Sequence, residues 1–260
     1  MQPTSRNPAL RRAEIRRLLV TREAMSVEDL CRALQASPAT IRRDLAALES
    51  DGIERTHGGA VVPGLKPAEQ DFAYRESQDV TEKRAVAEAA LRLITPGSTI
   101  FMNDGSTIMA IAKAIVASGM EIFIATPAVN VATKLAENPK ATVCLLGGFV
   151  RHTSLATTGP FTETMAAQIN ADLAFISCDG LSAEGGLSFT NAADAALAKC
   201  MIGHSGRVIA VAVTPKIGRS ERITAVAVTA AHEILTGCTD EAKLKGLRAA
   251  GLTIRSAATP

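Results

Sequence analysis

Apolar positions recur at helical spacing through the first fifty residues of the chain, about 100° per residue, and in short runs thereafter. From Ala9 to Val20 the spacing turns Ile15, Leu18 and Leu19 inward and sets Arg11, Arg12, Arg16 and Arg17 along the exposed side. From Ser26 to Leu34 it groups Val27, Leu30, Cys31 and Leu34, with Ser26 and Asp29 spaced as a capping box. From Ser37 to Glu49 it aligns Ile41, Leu45 and Leu48 on one seam, with Arg43 nearly opposite and Thr40 and Arg42 on the flanks. Ser37 is a natural N-cap and Pro38 suits the first helical position. Only Gln35 and Ala36 separate the second and third helices, the tight connection of a helix-turn-helix.

Residues 53 to 61 then read as a short hairpin, the wing that follows such a unit, with Gly58 and Gly59 permitting a tight turn. Two prolines and a glycine in Val62-Pro63-Gly64-Leu65-Lys66-Pro67 break any continuous element. The predicted division is a winged helix-turn-helix over 1–62, a linker over 63–69 and a second domain over 70–260. From Gln70 onward, apolar runs at 99–102, 122–125, 142–146, 173–177 and 208–213 alternate with helical stretches at 82–93, 107–117, 129–137, 161–170 and 192–202. That alternation predicts an α/β domain around a largely parallel sheet, with residues 241–260 left as a terminal helix and an extended piece.

Charge alters the picture through its placement. The formal net charge is +2, yet residues 1 to 64 hold ten Arg, no Lys and eight acidic residues. Affinity for a polyanion must therefore come from where the arginines point and from pairing of copies. Arg42 and Arg43 fall in the first two turns of the third helix, the part of a recognition helix that enters the major groove. Ser37, Thr40, Arg42 and Arg43, with Arg55 and His57 of the wing, are the DNA-contact candidates. Aromatic residues make up 3% and Trp is absent, which argues against binders that stack single-stranded bases. The five cysteines show no CxxC pair, no metal-ligand spacing is present, and no apolar run of about 18 residues suggests a membrane span. A reduced, cytoplasmic protein without metal or cofactor is expected.

In open parallel sheets ligands bind beyond the carboxyl ends of the strands. Here those positions hold Asn103, Asp104, Gly105, Ser106 and Thr107, then Gly147, Gly148 and Arg151, then Asp179 and Gly180, and finally Lys216. Hydroxyls, backbone donors and cations converging there would suit a small phosphorylated metabolite.

The stretch SPATIRRDLAALESDG followed by IERTHGGAV resembles the N-terminal signature of the DeoR family of bacterial transcriptional regulators. The second half resembles that family's sensor domain, similar in fold to ribose-5-phosphate isomerase, through Phe72-Ala73-Tyr74-Arg75, Glu82-Lys83, the Gly105-Ser106-Thr107 loop, Gly147-Gly148, Asp179-Gly180 and Lys216-Ile217-Gly218. The resemblance implies a dimeric or tetrameric repressor of carbohydrate catabolism that binds double-stranded operator DNA and answers to a phosphorylated sugar. It adds Arg75, Lys83 and Lys199 to the effector set. Four positions depart from the family pattern. Asn103 stands for an Asp, Pro127 for an Asn, Val213 for an Asp, and Ala198 for a Lys that reappears one residue later as Lys199. The rival readings are a sugar-phosphate isomerase with an appended DNA-binding domain, and an interaction module whose pocket has decayed.

Overall fold

The computed structural model describes residues 8–22, 24–48, 53–56, 59–61 and 72–257. Contacts divide the chain into two units, Met1–Gln70 and Asp71–Pro260. The expected linker at 63–69 lies outside the described residues, as do His57 and the side chain of Arg55.

In the first unit, helix α1 (Pro8–Arg22) leads into a short strand β1 (Ala24–Ser26), then α2 (Val27–Leu34) and α3 (Pro38–Leu48). Strands β2 (Glu54–Thr56) and β3 (Gly59–Val61) form the expected antiparallel hairpin. β3 also pairs with β1, so the wing is three-stranded, in the order β1-β3-β2. A small core of Ile15, Leu19, Leu30, Leu34, Ile41, Leu45, Leu48 and Ile53 fills the unit. The α2 cap forms as predicted, the Asp29 amide donating to Ser26 Oγ at 3.0 Å.

One expectation fails here. Arg11 is buried rather than solvent-facing, and with Arg12 it grips Asp44 of α3, itself 2% exposed. The Arg12 Nε to Asp44 Oδ1 distance is 3.1 Å. A carboxylate in a small apolar core is tolerable only when paired, and the two guanidinium groups supply the pairing.

The second unit contains α4 (Phe72–Ser77), α5 (Val80–Leu91), β4 (Thr99–Met102), α6 (Ser106–Ser118), β5 (Ile122–Thr126), α7 (Val129–Leu135), β6 (Ala141–Leu145), β7 (Phe149–Arg151), β8 (Ala156–Thr158), α8 (Pro160–Ala166) and β9 (Ala171–Ser177). It continues with β10 (Gly180–Ser182), β11 (Gly186–Phe189), α9 (Ala192–Gly203), β12 (Ser205–Val211), β13 (Ile223–Val226), β14 (Glu233–Thr236), α10 (Glu241–Ala249) and β15 (Thr253–Ser256). Seven strands form one parallel sheet in the order β15-β14-β12-β9-β4-β5-β6. Alternate residues feed two cores. Ile100, Met102, Phe175 and Ile209 face α5, α6 and α7, whereas Phe101, Ala174, Ile176 and Ala210 face α9 and α10. The unassigned C-terminal piece is α10 and the edge strand β15. Short antiparallel pieces, β7-β8 and β10-β11-β13, lie beside the main sheet.

The strand order reverses between β4 and β9, so the loops leaving these neighbours diverge. Asn103 closes that gap. Its Nδ2 donates to the Ser177 carbonyl and its Oδ1 accepts from the Ser177 amide, both at 2.8 Å.

Removing one partner from a buried ion pair costs about 3–5 kcal/mol, whereas a half-exposed partner contributes less than about 1 kcal/mol. Asp44→Ala is therefore expected to loosen α1 to α3 by about 3 kcal/mol, and Arg12→Ala far less. Amide hydrogen exchange of the full chain, followed across α1 and α3, checks the contrast.

Candidate functional site

On α3, Ile41, Leu45 and Leu48 are buried while Arg42 and Arg43 are exposed. Thr40 is half-buried at the start of the helix, where its amide donates to Ser37 Oγ at 3.3 Å and its hydroxyl lies 2.9 Å from the same oxygen. The helix therefore begins at Ser37, and its outer face presents two guanidinium groups within its first two turns. This surface can meet phosphates and base edges. In the wing, the structure describes the β2-β3 backbone around Arg55.

In the second unit, a group of charges gathers at the carboxyl ends of β4, β9 and β12. Lys216 Nζ donates to the Cys178 carbonyl at 2.5 Å and lies 3.8 Å from Asp179 Oδ1. Burial works to raise the Asp179 carboxyl, but Lys216, both donors of Thr190 and Arg75 outweigh it and hold it below the ordinary carboxylate range. Asp104 behaves in the opposite way. Its desolvation lifts it above the ordinary range despite Arg75 and Arg151, and the Asp179 charge adds to the lift. Burial pushes the Cys178 thiol up to about 12, so it adds no charge here.

The cations of this group differ in what they already hold. Lys83 is 5% exposed and donates to the carbonyls of Arg75 and Gln78, which ties the end of α4 to α5. Burial, with Lys216 and Arg75 nearby, pulls its ammonium below the usual value. Arg151 binds Asp194 of α9 and Ser154 Oγ. Arg75 keeps Nε and Nη2 buried without a hydrogen-bond partner among the described residues. Asn130 Nδ2, at the start of α7, is in the same condition. In folded proteins, buried donors of this kind are met by ordered water or by a bound group.

The loop residues fall into two sets. Gly105, at φ +128°, precedes α6, whose first turn has no side-chain cap, and its Cα side abuts Ser177 Oγ. Ser106 is half-buried and Thr107 is buried at that same helix start. Asn103, by contrast, has both side-chain polar atoms engaged by Ser177. Gly147 is held by α8, its carbonyl accepting from Thr162 Oγ1 at 2.7 Å. A Cβ on Gly148 would come within 2.1 Å of that hydroxyl, a steric reason for glycine. Gly180 is buried at the start of β10. Lys199 is exposed on α9 while Ala198 beside it is buried, so the cation displaced by one residue turns to solvent.

Three participants were not on the sequence-derived list. Glu82 Oε1 accepts from the Thr214 amide and hydroxyl at 2.8 and 3.1 Å and from the Gly237 amide at 3.1 Å, fixing the loop that carries Lys216. Asp194 orients Arg151 and Asn130 offers its amide. Glu82 was legible as the neighbour of Lys83, but Asp194 and Asn130 had no local signal. A separate cavity of about 470 Å³ lies at the opposite, amino ends of β4, β9 and β12, lined by Pro96, Asp172 and Arg207 among others. Its charged groups are already engaged, Asp172 by the Thr99 amide and Arg207 by Glu233.

Residues 11–64 match the model of the DeoR-like helix-turn-helix domain and residues 78–238 that of the DeoR C terminal sensor domain. The chain is 35% identical over 211 residues to the HTH-type transcriptional regulator GlpR of Haloferax volcanii, covering 81% of this chain and 82% of that one. It is 30% identical over 195 residues to the HTH-type transcriptional repressor CsqR of Escherichia coli, covering 75% and 74%. Among solved structures, ribose 5 phosphate isomerase A from Neisseria gonorrhoeae matches 52% of each chain at 17% identity, with a TM-score of 0.39.

The raised Asp104 carboxyl gives a pH signature. In the unfolded chain this group ionises near 3.8, whereas in the fold it holds its proton to higher pH. Its contribution to stability is thus greatest below that value and declines as pH rises through the folded pKa. Asp104→Asn is expected to raise the melting temperature at pH 7 and to have little effect near pH 3.5, which thermal melts across that range would read.

Proposed function

Because the chain belongs to the DeoR family of helix-turn-helix transcriptional regulators, we propose that it represses carbohydrate-catabolism genes under the control of a small phosphorylated metabolite. The observation that carries the reading is α3. Its buried seam and its capped start leave Arg42 and Arg43 facing outward, where a recognition helix needs them. Thr40, Arg42 and Arg43 contact base edges and phosphates of a half-site, Ser37 sets the start of the helix, and Arg55 and His57 of the wing reach the adjoining backbone. Two or four copies act together on a repeated operator, in the cytoplasm where that DNA lies.

The effector site is the charged group at the switch point of the sheet. Arg75, with two buried donors lacking acceptors, and the uncapped start of α6 at Gly105, Ser106 and Thr107 support an anionic ligand. Lys216 and Asp179 flank it, and Arg151 and Lys83 hold the surrounding elements. Asp104 opposes a bare phosphate and favours a ligand that also donates a hydroxyl. The effector alters operator affinity to the extent that it binds the DNA-competent and DNA-incompetent states unequally. The proposed role is regulation: Lys216 and Thr190 hold the Asp179 carboxyl below the ordinary range, which makes it a weak proton acceptor.

In electrophoretic shifts at fixed salt with DNA from upstream of the chain's own operon, Arg43→Ala is expected to weaken binding by about 10-fold or more, the size of one lost base contact. Unchanged binding would remove α3 from the interface. In a thermal-shift panel of phosphorylated sugars on the full chain, a ligand that stabilises the wild type is expected to lose its effect with Arg75→Ala.

A further inference from the structure

We propose that the surface formed by residues 145–161, at the β6 edge of the seven-stranded sheet, is where two copies of this chain associate. Eight large apolar side chains are exposed among the described residues, and five of them, Leu145, Phe149, Val150, Leu155 and Phe161, fall in these seventeen positions. Phe149 and Phe161 are 67% and 65% exposed and stand as a ring pair, centroids 6.0 Å apart. Val150, next along β7, is 63% exposed. Exposed aromatic and aliphatic groups concentrated in this way mark an interface rather than ordinary surface.

The two edges of the sheet differ in the same sense. β15 carries Arg255, which with Arg207 is bound to Glu233, so that edge is guarded by charge. β6 reads Ala-Thr-Val-Cys-Leu, without charge or proline, and pairs on one side only, with β5. An unguarded edge beside an apolar patch requires a cover.

Charge selects the cover. Residues 145–161 contain no acidic residue, and their single Arg, Arg151, is turned to Asp194. Apart from the exposed His152, no ionisable side chain there is left to recognise a charged partner. Across a two-fold axis, however, a surface meets its own copy, and a patch without net charge suffers no self-repulsion. A second copy is therefore the occupant that fits. The choice rests also on the regulator reading, in which paired recognition helices read a repeated site.

Light scattering coupled to gel filtration tests this on the full chain. The wild type is expected at twice the 27.1 kDa chain mass or more. Phe149→Asp combined with Phe161→Asp should bring it to half the wild-type mass or less, with circular dichroism unchanged. Val80→Asp, 58% exposed but outside the patch, should leave the mass as it is. Should the double variant fail to fold, Val150→Glu gives the same reading. A monomeric wild type, an unaltered mass in the patch variants, or an equal fall with Val80→Asp would overturn the proposal. The readout uses no DNA, so failure of a wild type of the expected mass to bind operator DNA would count against the regulator reading alone.

Discussion

Two hydrogen bonds between Asn103 and the backbone of Ser177 tie β4 to β9 just beyond their last paired residues, at the switch point of the sheet. The neighbours β4 and β9 send their loops apart there, and their ladder ends at Met102 and Phe175. Among side chains, an amide offers a donor and an acceptor at once without charge. A carboxylate at the same place would face the Ser177 carbonyl with nothing to donate. Asn at this position therefore keeps the seam neutral. An acid, Asp104, stands one residue later, at the mouth of the loop.

That placement shapes the electrostatics of the site. Of its cations, Lys83 is engaged by two carbonyls, Arg151 by Asp194, and Lys216 by a carbonyl and Asp179. Arg75 retains buried N–H groups in need of acceptors. Against an anion, the proposed site would set the Arg75 guanidinium and the amides at the start of α6, with Asp104 opposing them, so that selectivity would lie in what else such a ligand carries.

Much of the fold was legible in the sequence because it follows period. The seams of α1 to α3 and the alternation of strands and helices follow such intervals, and the wing was marked by its glycine turn. The seam of Ile41, Leu45 and Leu48 is buried as its spacing requires. Contacts between distant positions leave no such trace. Arg11 reads as one of four exposed arginines, and its burial is decided by Asp44, thirty-three residues away. Asn103 reads as a ligand contact until Ser177, seventy-four residues on, takes both its polar atoms. Strand order has no local signature either, so the switch point between β4 and β9 emerged only with the sheet. Lys199 shows the limit of reasoning by near-match, since one position on a helix is about 100° of rotation, enough to turn a side chain from the core to water.

Asp44 and Asn103 belong to different units and solve the same problem. Apolar packing determines that surfaces meet, but it constrains their rotation weakly, because a seam of Ile and Leu can slide or roll at modest cost. A buried polar group has few acceptable arrangements. If α3 rolled on its seam, the Asp44 carboxylate would leave Arg11 and Arg12, and an unpaired buried charge costs about 3–5 kcal/mol. At about 100° per residue Arg42 lies nearly opposite Asp44 and Arg43 about a quarter turn from it, so the pair at the back of α3 fixes the direction of both guanidinium groups. The outward face of α3 is thus aimed by a contact buried behind it.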